Sequence, residues 1–395
     1  MKQETYIAAD NIISPLGFTS EENFEMVSGM KTGIHKINSE IYTAEPTYAA
    51  LINSDKLQHE FDKLPSSLPY TRLEKLIILS ITKALQQNTA IDITSTKTLI
   101  ILSSTKGNID LLEPELKQRF DKKRIHLSET ANVIGNYFNS KNKPLVVSNA
   151  CISGVLAIII AKRLLESGSY ENVIVCGVDI ITEFVLSGFL SFKAVSKSIA
   201  KPYDENRDGI SLGEGCGTII LTNCRKNIIT SVPILVKGGA SSNDANHISG
   251  PSRTGDGLLL AIKKTLQESG ITAEQVDYIS GHGTATLFND EMEALAISDA
   301  QLTSVPMNSL KSYFGHTLGA AGVIESIIGI HSMRNNTLIA TYHFKTLGVS
   351  KPINIIIETQ QAPVNNCLKT AAGFGGCNAA VLFQKERSQS NSVNQ

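Results

Sequence analysis

The stretch Pro144-Leu145-Val146-Val147-Ser148-Asn149-Ala150-Cys151-Ile152-Ser153-Gly154-Val155-Leu156-Ala157-Ile158-Ile159-Ile160 sets a strand against a helix with a thiol at the join. A short apolar run of β type leads into small residues, and a long apolar segment follows. That order predicts strand, tight turn and buried helix. It places the thiol of Cys151 in the helix's first turn, where unpaired N–H groups and the positive end of the macrodipole favour thiolate over thiol. A sulfur activated in this way can carry an acyl group as a thioester.

Outward from this stretch, short and long apolar runs alternate. Those at 98–102, 144–148, 172–176 and 217–221 read as buried strands, whereas 72–87 and 151–167 carry helical spacing. The segment 151–167 is apolar nearly all round, as expected of a helix enclosed between layers. The polar stretch Asn223-Cys224-Arg225-Lys226-Asn227 then divides the chain. Beyond it come strands at 233–237 and 276–279, helices at 257–270 and 290–300, and a hairpin-like pair at 354–358 and 379–383. The chain reads as a layered α/β protein in two comparable halves, 1–228 and 229–395. No short-period repeat is visible, and the polar tail 385–395 is expected to fray.

Composition narrows the function classes. The 395 residues suffice for one large core or two medium ones. Lys plus Arg (36) against Asp plus Glu (37) gives a net charge of −1, with no basic excess for nucleic acid. The opening Met1-Lys2-Gln3-Glu4-Thr5 lacks a secretion signal, and no apolar run reaches the roughly 18–20 residues that span a bilayer. The six cysteines (151, 176, 216, 224, 367, 377) show no C-x-x-C spacing, so free thiols in a reducing cytoplasm are expected.

Three further segments gather ionisable and glycine residues where a plain core would not. Gly281-His282-Gly283-Thr284-Ala285-Thr286-Leu287-Phe288-Asn289-Asp290 follows a strand ending at Ser280. Asn308-Ser309-Leu310-Lys311-Ser312-Tyr313-Phe314-Gly315-His316-Thr317-Leu318-Gly319-Ala320-Ala321-Gly322 is the second, and Ala372-Gly373-Phe374-Gly375-Gly376-Cys377-Asn378 the third. Glycine on each side of His282 lets backbone and substrate approach the ring closely. Taken singly, each has a plain structural reading: a buried cysteine as apolar filler, a histidine as a turn residue, the glycine run as a tight turn. Together they point to one site. Metal binding is the sharpest competing use, but zinc wants three or four ligands with paired local spacing, which is missing here.

On these residues the chain resembles a β-ketoacyl-[acyl carrier protein] synthase of the elongating Cys-His-His type, within the thiolase-fold superfamily. The likeness begins at Asn11-Ile12-Ile13-Ser14-Pro15-Leu16-Gly17 and 29–34. It continues through Lys201-Pro202-Tyr203-Asp204-Glu205-Asn206-Arg207-Asp208-Gly209 and Gly213-Glu214-Gly215-Cys216-Gly217, and ends with the loop 373–378. The resemblance implies a thiolase fold, an α/β protein whose two pseudo-symmetry-related halves form a layered αβαβα core. It implies decarboxylative condensation of an acyl-Cys151 thioester with malonyl-[acyl carrier protein], in fatty acid or polyene/polyketide elongation. Under it His282 and His316 donate to the developing enolate, Lys311 orders the site, and Glu325 pairs with the lysine. Phe374 and Gly375 belong to the gate, and the N–H groups of Cys151 and Phe374 form the oxyanion hole. Thr284 and Thr286 hold the pantetheine arm, and Asn378 supports the loop. Asp204, Arg207, Asp208, Glu214, Asn289, Asp290 and Glu293 are read as fold-holding contacts, and Asp244-Ala245-Asn246-His247 as a loop near the entrance.

Several positions depart from that family's usual pattern. Ile152 is bulky where a small residue is common, and Asn149, Gly281 and Ala285 replace threonine, alanine and glycine. The stretch Ser103-Ser104-Thr105-Lys106-Gly107-Asn108-Ile109 stands where a glycine-rich one is usual. The resemblance implies an acyl carrier protein as partner, no cofactor beyond the pantetheine that carrier brings, no metal, and a homodimer or a heterodimer with a ketosynthase-like partner. Lys63, Arg72, Lys75, Lys122, Lys123 and Arg124 are candidates for a carrier-docking face. A non-catalytic partner of the chain-length-factor kind and a thiolase acting on acyl-CoA are the alternatives. Cys151 weighs against the first and the paired histidines against the second.

Overall fold

The structure, a computed structural model, describes residues 3–37, 47–66, 68–116, 118–244 and 252–386. In the first half, β1 (Tyr6–Ile13), α1 (Arg72–Gln87), β2 (Thr98–Ser103), α2 (Leu127–Tyr137), β3 (Leu145–Val147), α3 (Ser153–Glu166), β4 (Asn172–Asp179) and β5 (Gly215–Thr222) follow one another. The second half runs β6 (Ile234–Asn243), α4 (Asp256–Ser269), β7 (Tyr278–Ser280), α5 (Leu287–Asp299), β8 (Met307–Asn308), α6 (Ala321–Asn335), β9 (Asn366–Gly373) and β10 (Cys377–Lys385).

The ten strands are ordered β8-β7-β9-β10-β6-β1-β5-β4-β2-β3. Read outward from the middle, each half gives its first, fifth, fourth, second and third strand. In both, the second strand pairs in parallel with the third and fourth, and the fifth runs antiparallel to the fourth and first. The repeat that no residue pattern reveals is therefore plain in the topology. Tyr6 opposite Leu235 is the pair that joins β1 to β6.

Layering follows from which faces are apolar. Helix α1 starts at a capping box, with Thr71 and Glu74 each accepting the other's backbone N–H, and lies on β1, β4 and β5. Helix α4 lies on β6 and β10. Helices α3 and α6 pack on each other and touch strands of both halves, so the order is helix, sheet, helix pair, sheet, helix. Every residue of α6 from Ala321 to Met333 is buried, as that middle position demands. The two inner helices cross closely because glycines meet at their starts. A Cβ on Gly154 would stand 2.8 Å from the Val323 nitrogen, and one on Gly322 2.5 Å from the Val155 nitrogen.

Two expectations need correction. The segment 354–358 is not a strand of the final hairpin; it runs beside the short strand β8, exchanging hydrogen bonds with Met307. The hairpin is β9 with β10, in register from Asn366–Gln384 to Gly373–Cys377. Strand β9 escapes pattern reading because Lys369 and Thr370 interrupt its apolar run, yet both are fully buried. Lys385 is likewise paired, opposite Ile234, instead of fraying, while 387–395 lie outside the described residues. Among the described residues no helix is long and apolar enough to cross a membrane.

The glycine crossing carries a measurable consequence. Gly154→Ala should lower the unfolding free energy in urea by about 1–3 kcal/mol, the usual cost of overpacking. Gly188→Ala, in the helix Glu183–Ser191 and with nothing within 4 Å of the added methyl, should leave stability unchanged or raise it by up to about 1 kcal/mol. Equal denaturation midpoints for the two variants would contradict the close crossing.

Candidate active site

Cys151 lies on the turn between β3 and α3, two residues ahead of the helix and not inside its first turn. Ala150 holds φ at +43°, a left-handed corner that a non-glycine residue adopts only under constraint. Ser153 supplies it: its hydroxyl accepts from the Asn149 N–H at 2.7 Å and donates to the Ala150 carbonyl at 2.6 Å. From the other half, Gly373 fits against this corner, where a Cβ would come within 3.0 Å of the Cys151 nitrogen. The thiol is buried, at 8% exposure. Burial pushes it up to about 12, the neighbouring Cys377 adds to the rise, and Lys311 pulls the other way. The resting sulfur is therefore a thiol, against the thiolate expected from its place beside the helix start.

The two histidines come from the loops after β7 and β8. The N–H groups of His282 and Gly283 each donate to Glu293 on α5 at 2.8 Å. The His282 carbonyl accepts from Lys311 Nζ at 2.6 Å. His316 is held by its own N–H on the Ser211 carbonyl at 2.7 Å, and its Nδ1 accepts from the Leu318 N–H at 3.2 Å. That bond leaves the ring proton on Nε2. The rings stand edge to face with centroids 5.4 Å apart. Burial holds both well below the usual imidazole value, and Lys311 and Lys369 add to the depression. Each ring is thus neutral, with one N–H to donate.

Behind the rings lies a buried ionic group. Glu325 on α6 accepts from Lys311 at 2.7 Å through Oε1 and forms an ion pair with Lys369, whose Nζ lies 2.6 Å from Oε2. The pairing of Lys311 with Glu325 that the resemblance implies is present in the geometry. Lys369 was missed by sequence reading. So was Asp179, whose carboxylate takes the Gly319 N–H at 2.7 Å and the Ser104 hydroxyl at 2.8 Å. It ties the unusual stretch 103–109 to the segment just after His316. The only signal for Lys369 is a lone charge inside an otherwise apolar run, and Asp179 offers none beyond ending a strand.

Cys151, His282 and His316 line one cavity of about 360 Å³, with Thr284, Thr286, Phe374 and Asn378 on its walls. The Thr284 and Thr286 hydroxyls lie 2.9 Å apart. Phe374, 40% exposed, stacks on Phe189 at 5.8 Å and meets Phe192 edge-on at 5.7 Å. Gly375 and Gly376 hold φ at +85° and +72°, so the loop tip needs glycine. Asn378 donates to Asp244 at 2.9 Å and so braces this loop; Ala245, Asn246 and His247 lie outside the described residues.

Of the polar residues read as fold-holding, Asp204, Arg207, Glu214 and Asp290 make such contacts, whereas Asp208 and Asn289 lie on the cavity wall. Arg207 donates to the Asp204 and Gly348 carbonyls, and Asp290 accepts from the Tyr203 and Thr284 N–H groups. Glu214 takes Arg72 at 2.7 Å, and Glu74 takes Arg124. These two arginines therefore serve buried carboxylates and leave the candidate docking face. Lys122 and Lys123 are exposed, whereas Lys63 pairs with Glu60 and Lys75 with Gln58.

Comparison with known proteins identifies the family. Residues 4–227 match the family described as beta-ketoacyl synthase, N-terminal domain, and residues 234–345 match beta-ketoacyl synthase, C-terminal domain. A 3-oxoacyl-[acyl-carrier-protein] synthase 2 of Rhizobium meliloti is 32% identical over 60% of this chain, and the chain spans 60% of that relative's length. One of the same name from Vibrio harveyi is 25% identical over 97% of this chain and 99% of its own. In fold, the chain superposes with a TM-score of 0.84 on the structure of the ketosynthase ApeO in complex with its chain length factor ApeC from Xenorhabdus doucetiae. That match is 23% identical and covers 97% of this chain and 98% of the other. With the ishigamide ketosynthase/chain length factor the TM-score is 0.88 at 22% identity, over 98% and 100% of the two chains. With both domain profiles matched in order and cysteine, histidines and glycine loop converging on one cavity, the chain belongs to the β-ketoacyl synthase family.

Proposed function

We propose that this chain condenses an acyl group, held on Cys151, with malonyl-[acyl carrier protein] to give 3-oxoacyl-[acyl carrier protein] and CO2. The observation that carries this reading is the single cavity in which the thiol faces two imidazoles kept neutral by burial and two lysines. First, the Cys151 sulfur attacks the carbonyl of an acyl thioester; its proton leaves with the carrier thiol, and the acyl group stays on sulfur. The N–H groups of Cys151 and Phe374 stabilise the tetrahedral oxyanion, each such donor being worth roughly 2.7–4 kcal/mol.

Next, malonyl thioester enters past Phe374 along the Thr284–Thr286 wall. Its C–C bond to the carboxylate breaks, CO2 leaves, and the electron pair forms an enolate whose oxygen accepts from the His282 and His316 N–H groups. Neutral donors suit this step, because they stabilise the charge without quenching the carbanion by protonation. The enolate carbon then attacks the Cys151 thioester, the C–S bond breaks with its electron pair going to sulfur, and the released thiolate takes a proton from water to restore the thiol.

The substrate carrier is an acidic acyl carrier protein, and the chain works as a homodimer or beside a ketosynthase-like partner in fatty acid or polyene/polyketide elongation. Support comes from the solved relatives named above as complexes with chain length factors, and from one in complex with an acyl carrier protein. No cofactor or metal enters the proposed steps. Six free cysteines accord with a cytoplasmic setting.

Cys151→Ala should abolish condensation, by about a thousandfold or more, and mass spectrometry should find the acyl adduct on Cys151 of the wild type alone. A variant that condenses normally contradicts the assignment. Because the resting thiol lies near 12, alkylation of Cys151 by iodoacetamide should rise about tenfold per pH unit from about pH 7 to 9. A plateau in that range would indicate a preformed thiolate. With both rings neutral, decarboxylation should hold its rate as pH falls from about 8 to about 6; an inflection near about 6.5 would contradict it.

A further inference from the structure

Lys369 is the one charged residue in β9, and it is fully buried. An ammonium group has three protons to donate. Two carbonyls accept from this one, Gly281 at 2.9 Å and Ser280 at 3.2 Å, and Glu325 Oε2 stands 2.6 Å away as its ion-pair partner. Lys311 covers the next carbonyl, that of His282, and the other oxygen of Glu325. On the amide side of the same loop, Glu293 takes the N–H groups of His282 and Gly283, and also the hydroxyl of Thr370, the next residue of β9. The backbone from Ser280 to Gly283 is thus gripped on both edges, with Lys369 holding two of its three lysine-bound carbonyls.

We propose that Lys369 is a positioning residue for the condensation proposed above: it fixes the backbone that aims the His282 ring and places a second positive charge behind both imidazoles. This inference rests on that functional reading. The charged groups around the rings are Lys311, Lys369, Glu325, Glu293 and Asp290, with Lys193, Asp208 and Asp244 on the wall of the same cavity and the Cys151 thiol across it. One carboxylate shared by two ammonium groups leaves a positive surplus in that trio. Each lysine opposes a proton on either ring, and Lys369 contributes to the depression of both. Removing it frees the 280–281 carbonyls to move and weakens that opposition, so the rings take a proton at higher pH than in the wild type.

The test compares the full-length wild type with Lys369→Met and Lys369→Arg in two half-reactions: acylation of Cys151 from an acyl-loaded carrier, and CO2 release from a malonyl-loaded carrier. Lys369→Met should slow CO2 release by about 10–100-fold while acylation stays within about threefold of wild type. Its acid limb for CO2 release should move to higher pH, and Lys369→Arg, which keeps the charge, should return the limb to the wild-type position. Lys369→Gln replaces Lys369→Met if the latter does not fold. CO2 release at the wild-type rate and pH profile overturns the proposal, as does equal loss of both half-reactions, which marks a merely structural lysine. If the wild type itself releases no CO2, the functional reading fails. The role of Lys369 is then decided by NMR titration of the His282 ring, which must shift upward in Lys369→Met and must not in Lys369→Arg.

Discussion

One buried carboxylate gripped by two lysines governs this molecule. Taking an ion out of water costs several kcal/mol even after relaxation, and only close pairing with further hydrogen bonds offsets it. Glu325, Lys311 and Lys369 meet that condition together, each at 3% exposure or less. The three come from different elements: α6, the short helix Lys311–Phe314, and β9. Their spare protons go to the backbone carbonyls on which the His282 ring is mounted. A charge group that must close on itself thereby fixes a catalytic loop, and its two lysines add to the burial that keeps the rings above it uncharged.

The sulfur reaches that site from the opposite half. The β1–β6 junction rests on one residue pair, so the helix pair at the centre does most of the joining. The glycine contact between α3 and α6 brings the corner at Ala150 toward the loops that carry the rings, and Gly373 closes the gap from the third side. The same enclosure explains why the thiol stays protonated. Desolvation that makes the lysines and histidines effective also disfavours a resting thiolate, and the charge arises only as the C–S bond forms.

Much of this was legible in the residues. The small-residue corner before an all-round apolar helix located Cys151, and glycines flanking His282 marked a ring that something must approach. Helix 72–87 was readable from its apolar spacing, and the capping box of Thr71 and Glu74 fixes its start in the structure. What escaped reading did so for physical reasons. Lys369 looks like a solvated residue until a carboxylate from α6 is placed beside it, and its polarity hid β9, so that 354–358 took its place in the hairpin. The duplication of the two halves lives in strand pairing, which residue spacing does not record. Arg72 and Arg124 look like surface charge because nothing local shows that Glu214 and Glu74 are buried within their reach. The thiol's protonation failed for the same reason: a helix end is visible in sequence, whereas the depth of burial is not.

The central claim is that two uncharged imidazoles face the thiol. Nitrogen-15 NMR of histidine-labelled protein at about pH 6, half a unit below the free imidazole value, reads it directly. The account predicts two neutral rings, His316 with its proton on Nε2 and Nδ1 bare. An imidazolium signal from either His282 or His316 under those conditions would contradict it.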